Sequence, residues 1–176
     1  MPLFKEILSW AVECTIVIVI AYTMVSFFGL RTSVVGNAMS KTLTNDEQIL
    51  VNRFIYMVSS PKQGDVIVFL PNGNEKSHYY VRRVIAGPGD TVWINDGAVY
   101  VNGAIYNEAI SVSSIEDAGI AADEIVLGAD EYFVLGDNRN HSEDSRLANI
   151  GNVKKEYIIG KAWFYFDGIG DMGLIH

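Results

Sequence analysis

The chain has 176 residues, of which 49% are apolar, enough to bury the core of one domain of ordinary size. Its formal net charge of −8 argues against nucleic acid or an anionic membrane surface as a main partner. The single cysteine excludes a disulfide within the chain, and the three widely spaced histidines form no zinc pattern, so we expect no cofactor and no metal.

The first predicted element is a transmembrane helix. Residues 14–30 carry no charge, and the apolar run extends back to Ile7 with Glu13 as its only interruption. A helix needs about 20 apolar residues to cross a bilayer, whereas the apolar region of a removable signal peptide is usually shorter. We therefore predict that residues 1–30 form a short stub and one membrane span, and that residues 31–176 form the working domain.

The rest of the chain predicts a mainly β domain. Seven short segments are rich in Val, Ile, Tyr and Phe and are separated by Gly, Pro, Asn and Asp, as is typical of strands and turns. The pair Asp96–Gly97 predicts a tight hairpin, and residues 88–90 predict another turn. Residues 107–130 are acidic and weakly periodic, which suggests a surface loop with one helical turn. The seven predicted strands are 48–53, 65–70, 79–85, 91–94, 98–101, 131–135 and 162–166.

A serine and a lysine are adjacent in the stretch GNAMSKTL, at Ser40 and Lys41. If the stretch is extended, neighbouring side chains point to opposite faces and cannot form a catalytic pair. A second polar stretch, GDNRNHSEDSR at residues 136–146, follows the strand EYFVL directly. In it Asp144 and Arg146 are able to pair, while other polar side chains can bond the local backbone.

Five ordered stretches together resemble type I signal peptidases, which are membrane-anchored endopeptidases with a catalytic Ser–Lys pair. The resemblance covers essentially the whole chain and is strongest to the compact Gram-positive form. It implies a signal-peptidase-like β domain anchored by one N-terminal membrane helix, with the N-terminus cytoplasmic and the domain outside. The stretches are VVGNAMSKTL (34–43), QGDVIVF (63–69), YVRRVIAGPGD (80–90), GDNRNHSEDSR (136–146) and GKAWFYF (160–166).

The chain departs from the family pattern at the two chemical positions. The family's nucleophile block runs Gly, any residue, Ser, Met, any residue, Pro, Thr, Leu, and on residues 36–43 its serine falls on Ala38 and its proline on Lys41. The general-base lysine, which precedes an arginine in the family, falls on Arg82. Asp46 stands where a glycine is usual.

The resemblance also implies roles for supporting residues. Ser142 would hydrogen-bond the base, and Asp144 and Arg146 would brace the loop as an ion pair. Gly36 would lie near an oxyanion hole completed by the N–H of residue 38. The remaining positions that match the motifs are Met39, Arg83, Gly136, Asp137, Asn138 and Arg139.

Alanine offers no nucleophile, and arginine stays protonated, so we predict no cleavage by the Ser–Lys route. The resemblance then implies a membrane protein that binds an extended peptide or preprotein segment with small residues at alternate positions. Family members without the pair occur beside pilus assembly genes of Gram-positive bacteria, which makes a pilin a candidate partner. The alternative is an active signal peptidase I that removes signal peptides, either with an unusual nucleophile or with its pair exchanged by design.

Overall fold

A long apolar helix precedes the sheets. The helix α1 spans Pro2–Phe28, and its segment Leu3–Ser26 is long and apolar enough to cross a membrane, with a mean hydropathy of 1.9 and an unburied surface. It begins earlier than the predicted run at Ile7 and ends before Leu30, which already belongs to the first strand. A helix that is apolar on all sides requires lipid or protein around it. This computed structural model describes residues 2–28, 30–167 and 170–176.

The described residues form two antiparallel sheets, so the prediction of a mainly β domain behind one apolar helix is confirmed. The larger sheet has the order β1-β2-β11-β3-β4-β9-β10, with β12 paired to β11, and the smaller one has the order β7-β6-β5-β8. The strands are β1 (Leu30–Ser33), β2 (Gln48–Asn52), β3 (Val66–Phe69), β4 (Tyr80–Ala86), β5 (Thr91–Asn95), β6 (Ala98–Val101), β7 (Ala104–Ile105), β8 (Ile125–Val126), β9 (Glu131–Leu135), β10 (Val153–Lys154), β11 (Ile158–Phe166) and β12 (Met172–Leu174). One further helical turn, α2 (Ile55–Val58), and three 3₁₀ turns at Pro71–Gly73, Gly119–Ala122 and Lys155–Tyr157 complete the elements.

The centre of the larger sheet is buried on both faces. All four residues of β3 are buried, as are six of the seven residues of β4, which explains the unbroken apolar sequence of β3, while β4 includes the buried Arg82 and Arg83. Strand β11 pairs with both β2 and β3, and its register shifts between Ala162 and Phe164 and again between Ile158 and Gly160. Such irregularities bend a strand, so β11 curves across the sheet.

The predicted hairpin at Asp96–Gly97 is confirmed. Strands β5 and β6 pair directly across it, from Asn95 opposite Ala98 to Val92 opposite Val101. Asp96 and Gly97 both adopt positive φ, 49° and 75°, as a two-residue turn between twisted strands requires.

All seven predicted strands are present, with ends displaced by a few residues, but five short ones were missed. Residues 107–130 contain the predicted helical turn, as the 3₁₀ segment Gly119–Ala122, and also strand β8. The strand pairs with the start of β5, so this segment is attached to the smaller sheet. The missed strands are β1, β7, β8, β10 and β12.

One apolar cluster joins the two segments that resemble catalytic blocks of the family. Val34, Met39 and Leu43 from the first segment pack in the same buried cluster as Val81 of β4. The cluster thereby fixes the turn around Ala38 against the strand that carries Arg82.

Candidate functional site

The segment around Ala38 is a turn and not the extended strand considered from the sequence. The carbonyl of Met39 accepts hydrogen bonds from the N–H groups of Thr42 and Leu43, both at 2.7 Å, and Ser40 N donates to Asn37 O at 3.1 Å. Met39 is anchored in the core with 1% exposure, and this holds the turn in place. The extended geometry considered from the sequence does not occur, because the backbone turns at Met39, whose carbonyl bonds the N–H groups that follow.

The adjacent Ser40 and Lys41 do not form a catalytic pair. Both residues are exposed. The Ser40 hydroxyl accepts a hydrogen bond from the side-chain amide of Asn138 at 3.0 Å. Asn138 also donates to Asn37 O, and its own N–H bonds Ala38 O at 2.9 Å. Ser40 therefore helps to attach the turn to the loop 136–146.

Arg82 is buried in strand β4, with 6% exposure. Its Nε donates to Glu143 O at 2.8 Å, and its Nη1 donates to Val81 O at 2.7 Å. The guanidinium lies 4.9 Å from the centre of the Tyr80 ring. Burial lowers the pKa of Arg82, and the nearby Asp144 carboxylate opposes that shift. Because an arginine side chain remains protonated in proteins, this position holds a permanent cation.

Ala38 and Arg82 line one cavity of about 220 Å³. The turn brings Ala38 to it from one side and strand β4 brings Arg82 from the other. The other residues that line it are Val35, Gly36, Asn37, His78, Tyr79, Tyr80, His141 and Glu143.

Ser142 does not hydrogen-bond Arg82, contrary to the bond expected for the base position. Its hydroxyl is buried and has no partner among the described residues. It lies beside the turn, since Gly136 is in close contact with both Ser142 and Ala38. A Cβ atom added to Gly136 would come within 2.2 Å of Ser142 Oγ and 2.6 Å of Ala38 O. The guanidinium of Arg82 is instead bonded to the neighbouring Glu143 carbonyl and to Val81, which leaves the Ser142 hydroxyl without the donor expected there.

Gly36 and Asp46 both adopt left-handed backbone conformations in this segment. Gly36 has φ of 84°, and its N–H, which the resemblance places near an oxyanion hole, already donates to Asn45 Oδ1 at 2.7 Å. Asp46 has φ of 66°. Glycine adopts this left-handed region without steric cost, which explains why the family pattern has glycine at the Asp46 position.

A buried ion pair between Arg83 and Asp137 connects the segments that form the site. Arg83 binds Asp137 through two parallel hydrogen bonds, Nε to Oδ1 at 2.9 Å and Nη2 to Oδ2 at 2.8 Å. Its Nη1 donates to the carbonyls of Gly64 and His176. Thr42 at the end of the turn donates to the same Asp137 carboxylate. The pair thus connects β4, the turn and the start of the loop 136–146.

The loop 136–146 is held by two further arginines. The predicted ion pair between Asp144 and Arg146 is present, with Arg146 Nε to Asp144 Oδ1 at 2.8 Å, and the same carboxylate accepts from Gly136 N at 3.1 Å. Arg139 pairs with Glu108, which lies in the acidic segment 107–130. No local sequence pattern indicates this second pair, since 31 residues separate its members.

A groove adjoins the cavity on the larger sheet. It has a volume of about 600 Å³ and shares Val35, His78 and Tyr79 with the cavity. Thr32 and Ser33 line it from β1, and Ile159 lines it from β11. Among the described residues, β1 is the last strand on its side of the sheet, and an edge strand has backbone groups that no neighbouring strand pairs.

Three comparisons with known proteins give consistent matches. The family model described as signal peptidase, peptidase S26, matches residues 7–166. Signal peptidase I P of Bacillus subtilis subsp. natto is 34% identical over 163 residues, with 89% of this chain and 86% of the relative covered. Signal peptidase IB of Staphylococcus aureus strain COL is 32% identical, with coverage of 92% and 90%. A crystal structure of a signal peptidase I from Enterococcus faecalis V583 is 28% identical, with a TM-score of 0.45, and covers 59% of this chain and 97% of its own.

Proposed function

The chain belongs to the signal peptidase family, peptidase S26, and on that basis we propose that it binds an extended preprotein segment and leaves it uncleaved. One observation carries the proposal: the cavity that joins the two motif segments is lined by Ala38 and Arg82. Neither side chain can perform the chemistry that a Ser–Lys pair performs.

The chemical reason is the loss of both reacting groups. Acyl transfer requires a hydroxyl or thiol that forms a covalent intermediate, and the methyl group of Ala38 provides neither. The base must accept a proton near neutral pH, which a desolvated lysine is able to do. Arg82 is desolvated as well, but a guanidinium retains its proton. Removal of one such group from a serine protease lowers kcat by on the order of 10⁶.

The binding part of the proposal rests on the groove along β1. A bound segment gains backbone hydrogen bonds to the exposed edge of the strand, and its alternate side chains point into the protein. The cavity of about 220 Å³ at the end of the groove would receive the last side chains of the segment. The family resemblance implies small residues at two alternate positions there.

For the cellular setting we propose a single-pass protein whose N-terminus is cytoplasmic and whose domain lies outside, where preproteins emerge. Support comes from the apolar helix α1 and from the membrane anchorage of signal peptidase I relatives. We propose a pilin as the natural partner, supported by the likeness to family members that lack the Ser–Lys pair.

The binding proposal predicts selective loss of affinity when the cavity is filled. A labelled preprotein peptide that contains Ala-x-Ala should bind the full chain in lipid nanodiscs, and fluorescence anisotropy measures the affinity. Bulky aromatic residues at the two alanine positions should weaken binding by roughly 10-fold or more, because overpacking costs about 1–3 kcal/mol. Ala38→Leu should weaken binding of the alanine peptide to a similar degree.

The matched control is Ala104→Leu, since Ala104 is exposed on the smaller sheet, away from the groove. It should leave the affinity unchanged, and thermal melting of both variants reports their folding. Equal affinity for small and aromatic peptides, or equal effects of the two alanine substitutions, would refute the proposed groove.

A further inference from the structure

We propose that the cleft recognises a peptide with a free C-terminal carboxylate, which binds the guanidinium of Arg82. This inference rests on the proposed function and specifies the class of peptide that the same cleft accepts. It begins with a difference between Arg82 and the other buried arginines of the chain.

Four arginines are buried, and three of them have a carboxylate partner within hydrogen-bond distance. The three pairs are Arg83 with Asp137, Arg139 with Glu108 and Arg146 with Asp144. Within the part of the chain that the structure describes, no carboxylate oxygen lies within 4.0 Å of a guanidinium nitrogen of Arg82. Buried charges are normally paired, so the partner of Arg82 is expected to come from outside the chain.

The hydrogen bonds that Arg82 makes are to neutral groups only. Its Nε and Nη1 donate to the neutral carbonyls of Glu143 and Val81, and Nη2 takes part in neither bond. Tyr80 contacts the guanidinium only through the face of its aromatic ring. The two nearest carboxylates have other hydrogen-bond partners: Glu143, which lines the same cavity, accepts from Tyr80 OH at 2.7 Å, and Asp144 is bound by Arg146.

The position of Arg82 favours contact with the C-terminal end of a bound peptide. Arg82 shares with Ala38 the cavity at one end of the groove along β1, so a strand in the groove places its last residue there. If Ala38 occupies the nucleophile position, the carbonyl carbon of that residue lies where a peptidase would cut. A carboxylate on this carbon brings two oxygens toward a fixed guanidinium, the geometry of a strong charge-assisted hydrogen bond.

Ser142 takes no part in this recognition, because its buried hydroxyl, which has no partner among the described residues, lines a different cavity beside Arg139 and Arg146. A peptide released by a peptidase that cuts after a small residue ends in such a carboxylate, so it should bind the cleft more tightly than the intact preprotein does.

The test compares three labelled peptides on the full chain in nanodiscs at physiological salt. The first ends in Ala-x-Ala with a free acid, the second is its C-terminal amide, and the third is an amide whose last residue is aspartate. We expect the acid to bind roughly 10- to 100-fold more tightly than the amide, the range for a charged hydrogen bond in a desolvated cleft. Arg82→Gln should abolish the preference, so that acid and amide bind with equal affinity.

Two further variants separate recognition from folding. Arg82→Lys keeps the charge and should retain part of the preference for the acid, whereas Arg53→Gln, at an exposed arginine outside the cavity, should retain all of it. Equal affinity for acid and amide would overturn this inference and leave the proposed peptide binding intact. Binding of neither peptide would refute both. Tight binding of the aspartate amide would assign the site to side-chain carboxylates and overturn the C-terminal specificity.

Discussion

Replacing Ala38 by serine and Arg82 by lysine together is expected to produce signal peptidase activity. The double substitution supplies the hydroxyl nucleophile and a base that can lose its proton when it is desolvated. Position 82 is already buried, so a lysine placed there has the environment that lowers its pKa. We expect cleavage of an Ala-x-Ala preprotein at least about 10³-fold above the unaltered chain, part of the on-the-order-of-10⁶ effect of such groups.

The unpartnered Ser142 hydroxyl is the reason to expect this gain without further changes. It is buried next to the carbonyl of Ala38 and has no partner among the residues that the structure describes. The resemblance assigns Ser142 a hydrogen bond to the base, which would be the lysine at position 82. Adding Ser142→Ala to the double variant should therefore reduce the recovered rate.

The single substitutions are the controls for this experiment. Ala38→Ser alone leaves the nucleophile without a base, and Arg82→Lys alone leaves the base without a nucleophile, so both should remain near background. Mass spectrometry of the preprotein after incubation measures all four forms of the chain. If Ala38→Ser alone matched the double variant, another residue would have to act as the base. If the double variant bound the peptide without cutting it, the cleft would have lost its catalytic geometry.

The largest effect on stability is expected at the ion pair between Arg83 and Asp137. Both side chains are almost fully buried, and Asp137→Asn would leave the guanidinium without its charge partner. Breaking a buried pair in this way costs about 3–5 kcal/mol of unfolding free energy. Chemical denaturation of the full chain, followed by the fluorescence of the tryptophans, measures the change.

The matched control is the ion pair of Lys161 with Asp65, in which the lysine side chain is 32% exposed. Lys161→Gln should cost about 1 kcal/mol or less, because solvent screens an exposed pair. Replacing Arg83 by methionine and Asp137 by leucine together should cost less than the sum of the single losses, since neither charge is then left alone. A loss at Asp137 no larger than at Lys161 would show that the pair does not hold the site together.

The longer strands of this fold can be predicted from the sequence because each contains several consecutive residues of types that favour strands. Strand β3 is an unbroken apolar run. The pair Asp96–Gly97 is a strong hairpin signal, because both residues tolerate the positive φ that a two-residue turn requires. Strands of two residues, such as β7, β8 and β10, contain too little pattern and depend on their partners in the sheet.

The candidate site was only partly predictable for a similar reason. The order of the motifs identified Ala38 and Arg82, and the cavity brings both together. The turn at 36–43 was missed because its hydrogen bonds to Met39 O follow from the burial of one side chain. The pairing of Arg139 with Glu108 joins distant segments, and no local pattern indicates it. Nor could the residue types show that Arg82 bonds Glu143 O and leaves Ser142 without a partner.

The central claim is that the cleft binds a preprotein and has no means of cutting it. The most direct measurement incubates the unaltered full chain in nanodiscs with an Ala-x-Ala preprotein and follows both molecules by intact-mass spectrometry. We predict a bound preprotein of unchanged mass, a chain with no added acyl group, and no more product than in a heat-inactivated sample. A stoichiometric acyl adduct on the chain, or steady release of the shortened preprotein, would contradict it.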